Sequence, residues 1–361
     1  MREATQRQVV NMGARAQVLE PLTAVARTHG LIDVATRLDR VRVWLESDLD
    51  DLNDALAETR ANGVDLGRLA ARHLLEQPGK RIRPLLVFLT ARLGRPVAGD
   101  VVRDLAVAAE LAHAATLLHD DVIDQGTERR GAPTARMIFG NSASVLGGDH
   151  LLIETLRRVE RSGHPTLLRG IIEVIGEMVA AEALQLEVRG RFVPDEAVYQ
   201  RVVAGKTAVL FCWAMRAGAT AAQLPEAQID ALSRAGEQLG LAFQLVDDAL
   251  DLADDPAITG KDTLLDLREG KLTWPLLVAC ERDAGLVAQL QDVAAHPSML
   301  DDPAHAAALR LRILATGCVD ATRRRATEAA DQARATLRVL PASAARDALD
   351  TVVEAAVERC R

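Results

Sequence analysis

The sequence predicts an all-α fold built as one large helical domain, and three observations carry that expectation. Apolar residues recur at helical spacing from Val41 almost to the C-terminus. Ala and Leu, which lose little entropy in a helix, dominate the composition, whereas β-branched clusters are few and short. No stretch alternates apolar and polar residues with period two for long enough to make a sheet.

Taken in order, residues 1–36 read as an N-terminal appendage of weak helical character, broken near Gly30, and residues 37–361 as the domain. Helices are expected over 38–60 and 65–75, the latter stopped by Gln77-Pro78-Gly79. Others follow over 82–93, ended by Gly94-Arg95-Pro96, and over 99–125, ended by the segment Gly126 to Pro133. Helices over 142–161 and 165–190 flank the break Ser162-Gly163-His164-Pro165. Long periodic runs over 195–220 and 226–254 come next, the second stopped at Asp255-Pro256. The pattern resumes over 271–286, 303–315, 319–340 and 342–360, with a break at His296-Pro297. No short-period repeat or low-complexity linker divides the chain.

At 361 residues the chain can bury a large core. Aromatics are 2% of residues, so core and cavities must be lined mainly by aliphatic side chains. A net charge of −8 argues against nucleic acid as a partner. Cys212, Cys280, Cys318 and Cys360 form no C-x-x-C pair, which argues against zinc or a disulfide framework and fits a reducing cytoplasm. Residues 1–18 lack the apolar core of a signal peptide, and no uninterrupted apolar run reaches the ~20 residues of a membrane helix. A soluble protein is expected, with peripheral membrane association only through an apolar product.

Two acidic clusters, Asp120-Asp121-x-x-Asp124 and Asp247-Asp248-x-x-Asp251, each end a long apolar helix. Residues four apart share a helical face, so Asp120 and Asp124 can converge, as can Asp247 and Asp251. Carboxylates crowded there repel unless cations bind, and Mg²⁺ is the natural candidate because it is shared between carboxylates and phosphates. Either cluster alone also reads as a solvated acidic helix end; two copies, each behind an apolar helix, argue otherwise. Together they could grip a diphosphate through several metal ions. Cations stand at punctuated places: Lys80 and Arg83 beside a helix start at Pro84, then Arg129-Arg130-Gly131, Lys206-Thr207, Lys261 and Lys271. Gly205-Lys206-Thr207 is not a phosphate-binding P-loop, because position 200 is Gln200 rather than the required Gly.

The segments GKRIRP, LLHDDVID, ERRG, GKT, FQLVDDALD and EGKLTWP come in an order and spacing that resemble the trans-isoprenyl diphosphate synthase (polyprenyl synthetase) family from about residue 40 to the C-terminus. The resemblance, closest in kind to medium- and long-chain polyprenyl diphosphate synthases, implies ten or more helices around a deep central cavity and a homodimer. It implies that Asp120, Asp121 and Asp124 form the first metal motif and Asp247, Asp248 and Asp251 the second, with three Mg²⁺ ions that Mn²⁺ can replace. It assigns Lys80, Arg83, His113 and Arg130 to isopentenyl diphosphate, the homoallylic substrate. Arg129, Lys206, Thr207, Gln244, Lys261 and Lys271 fall to the allylic diphosphate, with Lys206 also counted among the catalytic residues beside the aspartates. Three positions depart from the family pattern: Pro78 and Leu264 replace glycines, and Trp274 replaces a leucine.

The implied reaction starts with stabilisation of the departing allylic diphosphate by metal and Lys/Arg charge. The isopentenyl double bond then attacks, and a proton is lost to the released diphosphate. Thr116, His113, Ala109 and Ala106 lie beneath Asp120 on one helical face, with Ala115 and Ala112 adjoining. In short-chain members, bulky aromatics occupy the positions of Thr116 and Ala115. Small residues there suggest an open channel and a product of geranylgeranyl length or beyond. A class I terpene cyclase is the rival enzyme, but its second motif does not match Asp247 to Asp251 and its cavities are aromatic-rich. A non-catalytic subunit of a heteromeric synthase would carry degraded aspartates, which this chain does not.

Overall fold

The computed structural model describes residues 19–28, 30–61, 65–253 and 264–358. Helices account for nearly all regular structure among them, with one pair of two-residue strands. The chain divides into two compact units. The first comprises Met1–Ile175, Leu210–Ser233 and Leu337–Ala355, the second Gly176–Val209, Arg234–Thr336 and Ala356–Arg361.

In the first unit, α1 (Glu20–Thr28), α2 (Ile32–Trp44) and α3 (Glu46–Ala61) lead into α4 (Leu66–Glu76) and α5 (Ile82–Ala91). The expected appendage boundary at residue 36 falls inside α2. Leu22, Ala26, Val34, Ala35 and Leu38 are buried, and Arg37 donates to Glu354 Oε2 at 2.8 Å. Apolar spacing that looked weak in isolation is completed by partners distant in sequence.

The centre of this unit is α6 (Gly99–Ile123), whose residues 104–112 are all buried. A helix apolar on every side belongs in a core, so any acid within it needs a partner. Asp104 accepts from Arg158 at 2.8 Å and from Arg161 at 3.2 Å, and Glu110 pairs with Arg81. After α6 come strands β1 (Glu128–Arg129) and β2 (Ala132–Pro133), α7 (Ala135–Phe139) and α8 (Asn141–Arg161). Helix α8 packs antiparallel on α6: Ser144 Oγ donates to Leu118 O at one end, and Arg158 meets Asp104 at the other.

Helix α9 (Pro165–Val188) precedes α10 (Glu196–Val203). The helix expected over 195–220 is interrupted by a π-helical turn, Ala204–Ala208, before α11 (Val209–Ala221). By length and composition the stretch Glu196–Ala221 could cross a bilayer, but its apolar window is 61% buried, as in a core helix. Helix α12 (Glu226–Ala253) ends in the second acidic cluster. The second unit continues through α13 (Leu265–Arg268), α14 (Trp274–Arg282), α15 (Gly285–Ala295), a 3₁₀ turn Pro297–Asp301, α16 (Pro303–Ala315) and α17 (Cys318–Leu337). Where one helix over 271–286 was expected there are two, since Asp283 adopts an extended conformation that ends α14. Finally, α18 (Ala344–Val357) closes the described chain. Leu245, Val246, Ala249, Leu276, Leu290 and Ile313 anchor the apolar core of the second unit.

Candidate active site

The first aspartate motif forms where α6 runs out of core. Asp120 and Asp124 are half-buried, and Asp124 caps the helix with its N–H bonded to Asp120 O at 2.8 Å. Asp121 turns inward and is 3% exposed. Its Oδ1 accepts from Arg129 Nε at 2.9 Å and Nη2 at 2.8 Å, whereas its buried Oδ2 has no donor. Burial pushes the Asp121 carboxyl up, and Arg129 pulls the other way. A buried carboxylate oxygen without a donor is costly, and a cation is the partner such an oxygen suits.

The Arg-Arg-Gly segment is the turn of the β1–β2 hairpin, which pairs Glu128 with Pro133 and Arg129 with Ala132. Its central residues Arg130 and Gly131 have φ of +55° and +78°. Positive φ at both central positions is what a type I′ hairpin requires, and glycine satisfies it freely. The hairpin sends Arg129 back to Asp121, while Arg130 at its tip keeps an exposed side chain.

His113 stands two turns before Asp120 on the same side of α6. Burial pushes its pKa well below the usual value, and the charges of Arg83, Arg130, Arg129 and Arg81 push it further. The imidazole is therefore neutral and feels the charges of four guanidinium groups, an environment suited to a multiply charged anion. Arg83 lies over the ring of buried Phe211, 4.5 Å from its centroid. Lys80 is half-buried in the turn leading into α5. The structure thus gathers His113, Arg83, Arg129 and Arg130 in one place and adds Arg81, which the sequence reading passed over.

The second motif has the same spacing and a different setting. Asp247 is half-buried. Asp248 is 3% exposed, and protein donors satisfy both its oxygens. Tyr199 Oη and the Trp274 N–H donate to Oδ2 at 2.8 and 3.1 Å, and Gln244 Nε2 donates to Oδ1 at 2.9 Å. Burial and the nearby Asp266 charge raise its pKa to about 7 despite those bonds. Asp251 is raised to about 8 for the same two reasons, although the Asp266 and Leu265 N–H groups favour its charged form. Two carboxyls held near neutrality beside a third acid are a site that a divalent cation would recharge. Asp248 ties three chain segments together, and three of the roughly four acceptor sites on its carboxylate are used. Among the described residues no three His, Cys, Asp or Glu side chains form a ready-made cage. Mg²⁺ rarely uses one, taking one or two carboxylates plus substrate phosphates.

Gln244 links this motif to the Gly205-Lys206-Thr207 segment, accepting at Oε1 from Thr207 Oγ1 at 2.9 Å. That segment is the π turn, a local widening that often marks functional positions. Gly205 is needed because a Cβ there would lie 2.7 Å from Ala181 Cβ. The turn turns Lys206 toward Glu182, with which it pairs, and toward Gln185 Oε1 at 3.1 Å. Glu182, Gln185, Tyr199 and Asp266 carried no motif signal in the sequence. Lys271 is paired with Glu269 at 2.5 Å. Lys261 lies outside the described residues.

Of the substituted positions, Leu264 adopts φ +64° with its side chain buried, so leucine sits in a left-handed conformation where the family pattern has glycine. Trp274 packs against Tyr199, ring centroids 5.5 Å apart, and Arg325 covers its face at 3.9 Å. Among the candidate length-determining residues, Thr116 is half-buried on the His113 side. Ala112 and Ala115 are 1% and 0% exposed. Ala115 lies three turns from Asp104 along α6.

Residues 65–306 match the family described as polyprenyl synthetase. The chain is 36% identical to octaprenyl diphosphate synthase of Escherichia coli K12, covering 90% of this chain and 99% of that protein. It is also 36% identical to heptaprenyl diphosphate synthase component 2 of Geobacillus stearothermophilus, over 67% of this chain and 76% of that one. The crystal structure of a polyprenyl synthase from Caulobacter crescentus CB15, complexed with calcium and isoprenyl diphosphate, superposes with a TM-score of 0.82. It is 35% identical and covers 89% of this chain and 97% of its own.

Proposed function

The chain belongs to the polyprenyl synthetase family, and we propose that it joins isopentenyl diphosphate to an allylic diphosphate, building a linear trans-polyprenyl diphosphate of C20 or longer. The observation that carries this reading is the set of guanidinium charges acting on neutral His113, on the helix that ends in the first aspartate motif. Lys80, Arg83, His113 and Arg130 hold the isopentenyl diphosphate; neutral His113 can donate to a phosphate oxygen while the arginines balance its charge. Arg129, Lys206, Thr207, Lys261 and Lys271 act on the allylic diphosphate, and Gln244 sets the Thr207 hydroxyl.

The metal reading rests on the donorless Asp121 oxygen and on Asp251, a carboxyl that the protein alone leaves near neutrality. Asp120, Asp121 and Asp124 of the first motif and Asp247, Asp248 and Asp251 of the second would hold the metal, three Mg²⁺ ions that Mn²⁺ can replace. Bound metal supplies positive charge to the leaving diphosphate. The allylic C–O bond breaks with its electron pair leaving on the diphosphate, and the isopentenyl double bond forms the new C–C bond. A proton then passes to the released diphosphate, so no protein base is required.

The working unit proposed is a cytoplasmic homodimer. Val179 and Leu186 lie at seven-residue spacing along α9 and are 64 and 41% exposed, an apolar stripe suited to a second copy. Cys212, Cys280 and Cys318 are free thiols, as a reducing compartment favours. A second reading, a catalytic subunit that needs a partner chain, is favoured by the relative named as a component 2.

The test is the purified chain alone, assayed with isopentenyl diphosphate and geranyl, farnesyl or geranylgeranyl diphosphate. Polyprenyl product with Mg²⁺ and none after chelation is expected. Turnover that survives exhaustive chelation sinks the metal reading, and inactivity with every primer favours the partner-dependent one. Product length has its own test. Thr116→Phe should shorten the product, because the side chain lies on the Asp120 side. Ala115→Phe should shorten it as well, at a cost in stability of about 1–3 kcal/mol from overpacking a fully buried position.

A further inference from the structure

Arg81 occupies a strained position. It is the N-cap of α5 at φ +48° and ψ +35°, a left-handed conformation uncommon for a residue with a side chain. What holds it there is its guanidinium. That group pairs with Glu110 of α6 and donates to Leu75 O, in the last turn of α4, at 3.3 Å. The two side chains of the pair are 10% and 5% exposed. A buried ion pair is a weak source of stability, since apolar residues of the same volume serve as well or better. Its advantage is orientation: it permits one arrangement of the groups it joins.

The groups joined here are the anion-binding ones. Arg81 lies between Lys80 and Arg83, so the turn it locks determines where both side chains point. Glu110 also attracts Arg130, offsetting the repulsion from Arg81 and Arg129. The tip of the hairpin is close to the same turn: a Cβ on Gly79 would come within 2.9 Å of Arg130 Nη1. Glu110 stands three residues before His113, one helical turn along α6.

We infer that Glu110 is a positioning residue for the homoallylic diphosphate, fixing through Arg81 the turn that carries Lys80 and Arg83 and holding Arg130 beside them. This rests on the assignment of those cations to isopentenyl diphosphate under the proposed function. Glu110 touches no substrate; it acts through the arginines.

Steady-state kinetics of Glu110→Gln, Arg81→Gln and the double variant test it, with Lys80→Ala as reference. Each single variant should raise KM for isopentenyl diphosphate roughly ten- to a hundredfold, as misplacement of binding groups does. For Glu110→Gln both kcat and KM for the allylic diphosphate should stay within about twofold, since Glu110 touches no substrate. The double variant should be no worse than either single one, because the two side chains act as a unit. Equal increases in KM for both substrates would reduce the pair to a structural role and overturn the inference. So would a fall in KM for isopentenyl diphosphate, the result expected if Glu110 were only an opposing charge. Should Glu110→Gln fail to fold, Glu110→Asp, which keeps the charge on a shorter arm, must show the same split with a smaller rise. If Lys80→Ala raises that KM and the Glu110 variants do not, this inference alone fails. If Lys80→Ala leaves it unchanged, the assignment beneath it fails as well.

Discussion

The two aspartate motifs share a spacing and differ in almost everything around them. At the first, the inward-facing Asp121 is answered by a single guanidinium and keeps one oxygen without a donor. At the second, the equivalent Asp248 accepts from the Tyr199 phenol, the Trp274 backbone N–H and the Gln244 amide, so each of its oxygens has a donor. Cations crowd the first motif's helix, while acids crowd the second. A repeated D-D-x-x-D fixes which side chains share a helical face. It does not fix their roles, which depend on what the rest of the chain brings to that face.

The most severe way to break the comparison is to neutralise the outward aspartate of each motif. Asp120→Asn and Asp247→Asn should each lower kcat by at least ~10²–10³, the scale on which lost leaving-group stabilisation is felt. Thermal unfolding should move little, because both side chains are half-buried at helix ends. Were only one variant impaired, the motifs would not share a metal-binding role.

Next in size comes the pair of inward aspartates, compared by stability. Asp248→Ala strands the Tyr199 hydroxyl, the Trp274 N–H and Gln244, and should cost about 3 kcal/mol. Asp121→Ala strands only Arg129, 30% exposed in its side chain, and also removes the donorless oxygen, so about 1 kcal/mol or less is expected. Denaturant unfolding of the metal-free variants measures both. Equal losses would mean that the inward aspartates are equivalent after all.

That contrast marks where the sequence stopped being informative. Helix positions, the aspartate faces and the cation clusters follow from periodicity and local punctuation, and they were legible. The partners of Asp248 lie 49 and 26 residues away, and no local pattern reports such contacts. The π turn at Ala204–Ala208 was likewise hidden inside an unbroken apolar run, because close packing of Gly205 on Ala181 and of Gly240 on Ala208 is a tertiary condition. The same holds for α2, whose buried face is completed by distant segments. Glu110, in contrast, could have been found. An acid in the middle of an apolar helix must be paired, and Arg81 was an unassigned cation in a motif already singled out.

The loops after the two motifs allow a finer comparison. The first places Arg130 and Gly131 at φ +55° and +78°, the second Leu264 at φ +64°. Left-handed backbone costs a leucine about 1–2 kcal/mol. Losing a buried leucine side chain costs more, about 2–5 kcal/mol as judged from Leu→Ala changes. Burial should win: Leu264→Gly is expected to destabilise by about 2 kcal/mol, although glycine is the residue the backbone prefers. A rise in melting temperature would show that Leu264 is tolerated and not used.

The smallest expected effect contrasts the titrating groups of the two settings, and His113 isolates it. Burial and the Arg83, Arg130, Arg129 and Arg81 charges hold its folded pKa well below the ordinary 6.5. In the unfolded chain the imidazole takes up a proton near that ordinary value; in the folded protein it stays neutral. Between the folded pKa and about 6.5 the unfolded state therefore binds more protons, and stability falls as pH falls through that window. The loss from this group alone is about 0.7 kcal/mol between pH 7 and pH 6, with a limiting slope of ~1.4 kcal/mol per pH unit below. Glutamine keeps the amide-like hydrogen-bonding capacity without the titration, so His113→Gln should flatten that part of the pH–stability curve. Melting curves of both proteins between pH 7.5 and 5, at constant ionic strength, make the measurement. Parallel curves would mean that His113 is protonated in the fold, and the guanidinium groups near it would then have to be held apart by something other than a neutral imidazole.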